Sequence, residues 1–224
     1  MPEDRPRLAG DVYRELRATT RPNELADVTR AFAAAGQALE EGDFAQAIEL
    51  LTWAKSAAAR SAAIREALGV ARYLAGDYAG ANRELLAYRR LSGRQDQNHL
   101  LADCARVAGR SEKVAEYVEE MARAGAPADR VAEGLLVLAG ERADRGDLRG
   151  GLRALERADL DPCRIQPWHP RLWYFAGDLH ERLGDLDRAR DYFEAIAAVE
   201  DDFLDAIDRL AALPMHGEHG QHPD

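Results

Sequence analysis

The chain is poor in cysteine and in aromatic residues, and it has no long apolar run. Its two cysteines, Cys104 and Cys163, are too few and too far apart for a disulfide framework, and neither sits in a C-x2-C spacing that would suggest structural zinc. Phe, Trp and Tyr make only 7% of 224 residues. The longest apolar stretches, such as residues 135–139, fall far short of a bilayer span. Basic charge is also in deficit. A net charge of −10 and a pI near 5.2 argue against coating nucleic acid or an anionic membrane through the overall field. The start, MPEDRPRLAGDVYRELR, carries charges where a secretion signal needs an apolar core, so a cytoplasmic protein is expected. G-x-S-x-G, P-loop, Rossmann and H-E-x-x-H patterns are absent, so the sequence predicts no enzyme, no cofactor and no metal centre.

What the chain does have is alanine, arginine and a three-to-four-residue apolar rhythm, which together predict an all-α fold. Five turn signals punctuate it: Gly42-Asp43, Gly76-Asp77, Gly109-Arg110-Ser111, Gly146-Asp147 and Gly184-Asp185. Their glycines are 34, 33, 37 and 38 residues apart. After each turn a helical face recurs: Phe44, Ala47, Ile48, Leu51 and Ala54; Tyr78, Ala81, Leu85 and Tyr88; Val114, Tyr117, Val118 and Met121; Leu148, Gly151, Leu152, Leu155 and Ala158; Leu186, Ala189, Tyr192, Phe193 and Ile196. Glycine supplies the left-handed residue that closes one helix, and aspartate accepts from the first amides of the next. Ser111 is expected to cap where the third turn lacks aspartate, and Asp43 with Gln46 fits a capping box.

Residues 171–198 hold the clearest unit. Trp173, Gly177, Ala189 and Phe193 stand at the spacing of W-x2-L-G-x2-Y…A-x3-F, with Ala176 and His180 in place of Leu and Tyr. The chain therefore resembles the tetratricopeptide repeat (TPR) family, in particular its bacterial members. The expected architecture is an α-solenoid of about five TPR-like helix pairs with terminal capping helices. Residues 1–22 form an N-terminal lead and short capping helix over Leu8 to Arg17, 23–198 the superhelical domain, 199–213 a C-terminal capping helix with Phe203, Ile207, Leu210 and Leu213 on its apolar side, and 214–224 a disordered tail. The loop Asp161 to Pro170 holds three prolines, and Trp168 within it is expected to pack over the longest gap between units.

The resemblance implies a non-enzymatic scaffold or adaptor whose first helices line a concave groove for a peptide or protein surface. Carried over from the glycine turns, the groove positions are Phe32, Glu66, Val70, Tyr73, His99, Asp103, Arg106, Leu136, Tyr174, Asp178 and Arg182. The Lys/Asn clamp that some relatives use for carboxylate-ended peptides has no counterpart there. Two other readings stand beside this one. Residues 53–94 hold eight basic against three acidic residues, a basic island whose Arg60, Arg83, Arg89, Arg90 and Arg94 could serve an RNA- or ribosome-associated factor; a peptide-sensing regulator is the other. His216, His219 and His222 lack a cysteine or carboxylate at metal-site spacing.

Overall fold

A computed structural model describes residues 8–215, and among them there are twelve α-helices, one 3-10 turn and no strand. The first helices, those before the five glycine turns, are α2 (Leu25–Glu40), α4 (Ala62–Leu74), α6 (Asn98–Val107), α8 (Ala128–Asp144) and α10 (His169–Arg182). The second helices, those after the turns, are α3 (Phe44–Ala57), α5 (Tyr78–Ser92), α7 (Ser111–Arg123), α9 (Leu148–Leu155) and α11 (Leu186–Ala197). Helices α1 (Gly10–Thr19) and α12 (Ala206–Ala212) flank them. The contacts divide the chain into two compact units, one up to Arg110 and one from Ser111 onward. The tail with its histidines, and residues 1–7, lie outside the described residues.

All five turns have one geometry. Gly42, Gly76, Gly109, Gly146 and Gly184 take φ between 67° and 83°, a region closed to most L-residues. The amide after each glycine donates five residues back, Asp43 to Ala38, Asp77 to Arg72, Arg110 to Ala105, Asp147 to Arg142 and Asp185 to His180, at 2.8–3.0 Å. That closure satisfies a carbonyl the helix would otherwise leave open. Asp43, Asp77 and Asp147 then accept from the amide three residues on at 2.8–2.9 Å, and Asp185 does so at 3.4 Å. In the third turn, which lacks an aspartate, α7 begins at Ser111.

In the N-terminal unit, Leu51, Ile64 and Leu68 are the large members of a core that Leu16 of α1 enters fully buried. Glu15 fixes that helix: it accepts from Ser61 Oγ at 2.8 Å and from the Ala62 amide at 2.6 Å, so a carboxylate sits on the positive end of α4. Helix α3 stops at Ala57, and Ser61 caps α4 through the Ile64 amide at 3.2 Å, which places the joint that lacks both Gly and Pro. Gly69 is the close-approach residue of this unit; a Cβ there would lie 2.7 Å from the Leu85 side chain.

In the C-terminal unit the core gathers Trp173, Ala189, Phe193 and Ile196. Trp168 is half-buried in its loop, its ring 6.1 Å from that of His169. A Cβ on Gly177 would sit 2.9 Å and 3.0 Å from carbons of the buried Phe193 ring. Gly177→Leu is accordingly expected to overpack the α10–α11 crossing and to cost about 1–3 kcal/mol. A urea midpoint equal to that of the wild type would show that the crossing can open.

Both end helices differ from their expected bounds. Helix α1 runs two residues later than Leu8–Arg17, and α12 is confined to Ala206–Ala212, with turns over most of 199–205. Leu204 adopts φ 48°, which helical periodicity cannot foretell, and Ile207 points outward while Ala206 and Leu213 are buried.

Candidate functional site

The first-helix positions of the N-terminal unit come together in a hydrogen-bonded set. The Tyr73 hydroxyl on α4 donates to Asp103 Oδ2 on α6 at 2.7 Å, and Arg106 Nε donates to the other carboxylate oxygen at 2.9 Å. Two turns back along α4, Glu66 Oε1 accepts from Gln97 Nε2 at 2.7 Å. Burial, and then the bond and charge of Asp103, push the Tyr73 phenol well above its ordinary range, so it stays a donor. Its ring meets Tyr78 edge-on at 5.5 Å. Val70 and Arg106 are half-exposed, whereas Asp103 is nearly buried and His99 is buried with Nδ1 3.1 Å from the Asp96 carbonyl oxygen. Phe32, half-buried on α2, packs against the core of the first two pairs.

In the C-terminal unit Leu136 is half-buried on α8, and Tyr174, Asp178 and Arg182 lie on α10. Tyr174 and Asp178 are engaged by the end of the chain. The Tyr174 hydroxyl donates to Asp205 at 2.6 Å, and Arg209 of α12 donates to Asp178 at 3.0 Å and Glu181 at 2.7 Å. The Arg209 guanidinium also lies 5.3 Å from the Tyr174 ring centre and 4.8 Å from that of Phe193. Buried Arg190 closes the far end of α12 by donating to the carbonyls of Leu210, Leu213 and Pro214. Helix α12 and its flanking residues thus pack on the last two repeat helices. Sequence reasoning missed Arg209, Asp205 and Arg190, since contacts spanning 20–31 residues leave no local signal.

The basic island is paired in part. Lys55 and Arg65 both bind Glu84, Arg72 binds Asp77 and Arg94 binds Asp96. Arg60, Arg83, Arg90 and Arg94 are exposed and Arg89 is half-exposed.

Other polar groups are accounted for by packing. His169 lies against Trp173 at 5.0 Å between ring centres and accepts the Gln166 amide at Nδ1, 3.3 Å; burial lowers its pKa against the pull of Asp159 and Asp161. Cys104 is buried and its thiol is pushed up to about 12, first by burial and then by Asp103, which makes it inert as a nucleophile. No cluster of metal-binding side chains occurs among the described residues. No helix among them is long and apolar enough to cross a membrane.

Neither a family profile nor the sequence of a curated protein matches the chain. Solved structures do. The chain is similar to one chain of the APC/C hetero-tetramer Cut9–Hcn1 (TM-score 0.67, 15% identity), over 89% of its own length and 39% of that chain. It is also similar to YrrB, described as a TPR protein with an unusual peptide-binding site (TM-score 0.54, 13% identity; 80% of this chain, 89% of that one). The third is MamA (TM-score 0.57, 19% identity; 84% and 98%). The fold is that of TPR solenoid proteins, and the resemblance read from Trp173, Gly177, Ala189 and Phe193 is matched by architecture. At this identity the likeness concerns the fold alone.

Proposed function

We propose that the protein is a non-catalytic interaction scaffold which holds a peptide or protein segment against its first helices, with α4 and α6 as the principal surface. The observation that carries this reading is the Tyr73–Asp103–Arg106 set. An aromatic ring from one helix and a guanidinium from the next are held by one nearly buried carboxylate, so they are ordered before anything binds. Preorganised Tyr and Arg side chains lose little entropy on binding and are the residue types most often found as hot spots. Val70 adds an apolar contact between them and the Glu66–Gln97 pair. The peptide-binding description of YrrB and the hetero-tetramer of Cut9–Hcn1 are in keeping with such a role. Phe32 belongs to the same proposal as an outlying position of the N-terminal unit, and Leu136 and Arg182 are proposed separately for the C-terminal unit.

The test is a comparison of partner binding, after capture from cell extract, by the wild type and Tyr73→Ala. A loss of roughly 2 kcal/mol is expected if the ring is an anchor, with weak dependence on salt. Undiminished binding by Tyr73→Ala, or affinity that collapses as salt screens exposed charge, would refute the reading. Lys55, Arg65 and Arg72 are paired internally, which takes three of the eight cations of residues 53–94 out of the nucleic-acid alternative.

A further inference from the structure

We infer that the outer side of the C-terminal end, residues 199–211, is a second docking surface, and that its partner is a cationic amphipathic helix of another protein. The inference starts from Leu204. This leucine sits at φ 48°, in the left-handed region that L-residues with bulky side chains avoid, and it leaves 70% of its surface in water. A strained backbone that projects an apolar side chain into solvent serves neither packing nor solubility, and such outliers are retained where a contact needs them. Ile207, 43% exposed, and exposed Ala211 lie four residues apart on the side of α12 away from buried Ala206 and Leu213, and Leu204 stands two residues before that helix. Together they leave a short apolar stripe exposed over residues 204–211. The opposite side of α12 is fixed to the fold by Arg209 and Arg190, so the stripe is held in a set orientation on the unit.

Charge selects the partner. Glu200, Asp201, Asp202 and Asp208 are exposed around the stripe, and none has an ion-pair partner among the described residues. Four uncompensated carboxylates beside an apolar stripe repel nucleic acid and anionic lipid, and in a symmetric contact between two copies they would meet one another. They complement a helix with aliphatic residues along one face and Lys or Arg on its borders, the arrangement by which amphipathic helices seat in shallow apolar grooves. This surface is separate from Tyr73 and does not depend on it.

The probe is a fluorescently labelled synthetic peptide with leucines on one helical face and lysines on the other, titrated with the full chain and followed by anisotropy. The variant pair Leu204→Gly with Ile207→Ser is expected to weaken binding by about tenfold or more. Its melting temperature should be no lower than that of the wild type, because glycine accepts the φ of residue 204 without strain. Reversal of Asp201, Asp202 and Asp208 to lysine should remove binding, whereas Tyr73→Ala should leave it unchanged. No binding by the wild type, or equal binding by the Leu204→Gly, Ile207→Ser pair, overturns the inference, since general attraction to an acidic protein would then suffice. Sedimentation showing that the wild type dimerises and that the pair does not would also overturn it, by assigning the stripe to a second copy.

Discussion

Trp173→Ala is expected to destabilise the C-terminal unit by about 3–5 kcal/mol, the range for truncating a fully buried large aromatic side chain. Trp173 is 0% exposed and lies in the cluster that α10 and α11 form with Leu160 and Phe203. Its indole nitrogen donates to the Leu160 carbonyl at 2.9 Å, so the same substitution also unpairs the loop before α10. Removing the ring leaves a cavity that Phe193 cannot fill readily, because its edge is already against Gly177. Urea unfolding followed by circular dichroism measures the loss. A decrease below about 1 kcal/mol would mean that the cluster collapses onto the space, and that Trp173 is not the centre of the unit.

Glu84→Gln is expected to cost the N-terminal unit about 2–3 kcal/mol. Glu84 is 7% exposed on α5 and accepts Lys55 Nζ from α3 at 2.8 Å and Arg65 Nη1 from α4 at 2.6 Å. One carboxylate therefore ties three helices. Neutralising it leaves two cations facing each other with only an amide between them. Breaking a fully buried pair costs about 3–5 kcal/mol, and the lower figure here reflects side chains of Lys55 and Arg65 that remain 24% and 23% exposed. The effect has a pH signature. Burial raises the Glu84 pKa, but hydrogen bonds and charge from Lys55 and Arg65 outweigh it, so the folded value lies below the ordinary 4.5. Between the two values the unfolded chain binds more protons than the folded one. Stability from Glu84 is thus complete above the unfolded value and is lost as pH falls through the folded one. The gap between wild type and Glu84→Gln should narrow in acid; a gap independent of pH would show that packing rather than charge is responsible.

Arg65 and Arg72 show where the sequence stops being informative. Both stand where the repeat pattern has an aromatic, and on periodicity alone they put the register of the second pair in doubt. In the fold they are the partners of Glu84 and Asp77, so ion pairs occupy the space of rings while the register stays as the glycines set it. The second-helix faces were legible because each is local, a matter of three- and four-residue steps. So was Gly177, whose smallness has meaning only against the Phe193 sixteen residues on in the same motif. Helix α12 was read too long because Phe203, Ile207 and Leu210 keep helical spacing through a backbone that leaves the helical region at Leu204. For the site, the helix bearing Tyr73 or Tyr174 followed from counting back from a turn. That Asp103 would hold Tyr73, and that Asp205 and Arg209 would engage Tyr174 and Asp178, depends on which helices become neighbours, and no spacing encodes it.

The uniform turn has a consequence for how such a chain can change its length. Each turn has one left-handed glycine and one amide returning five positions, and four of the five add an aspartate cap, so a single insertion there would break these features at once. The interval between glycines nevertheless varies from 33 to 38 residues. The surplus is found elsewhere, in the 17 residues of α8 and in the stretch 156–168 that separates α9 from α10. Drift in sequence length is therefore taken up by the helices and by the connections between repeats, while the Gly turn acts as the fixed reference from which every repeat is measured.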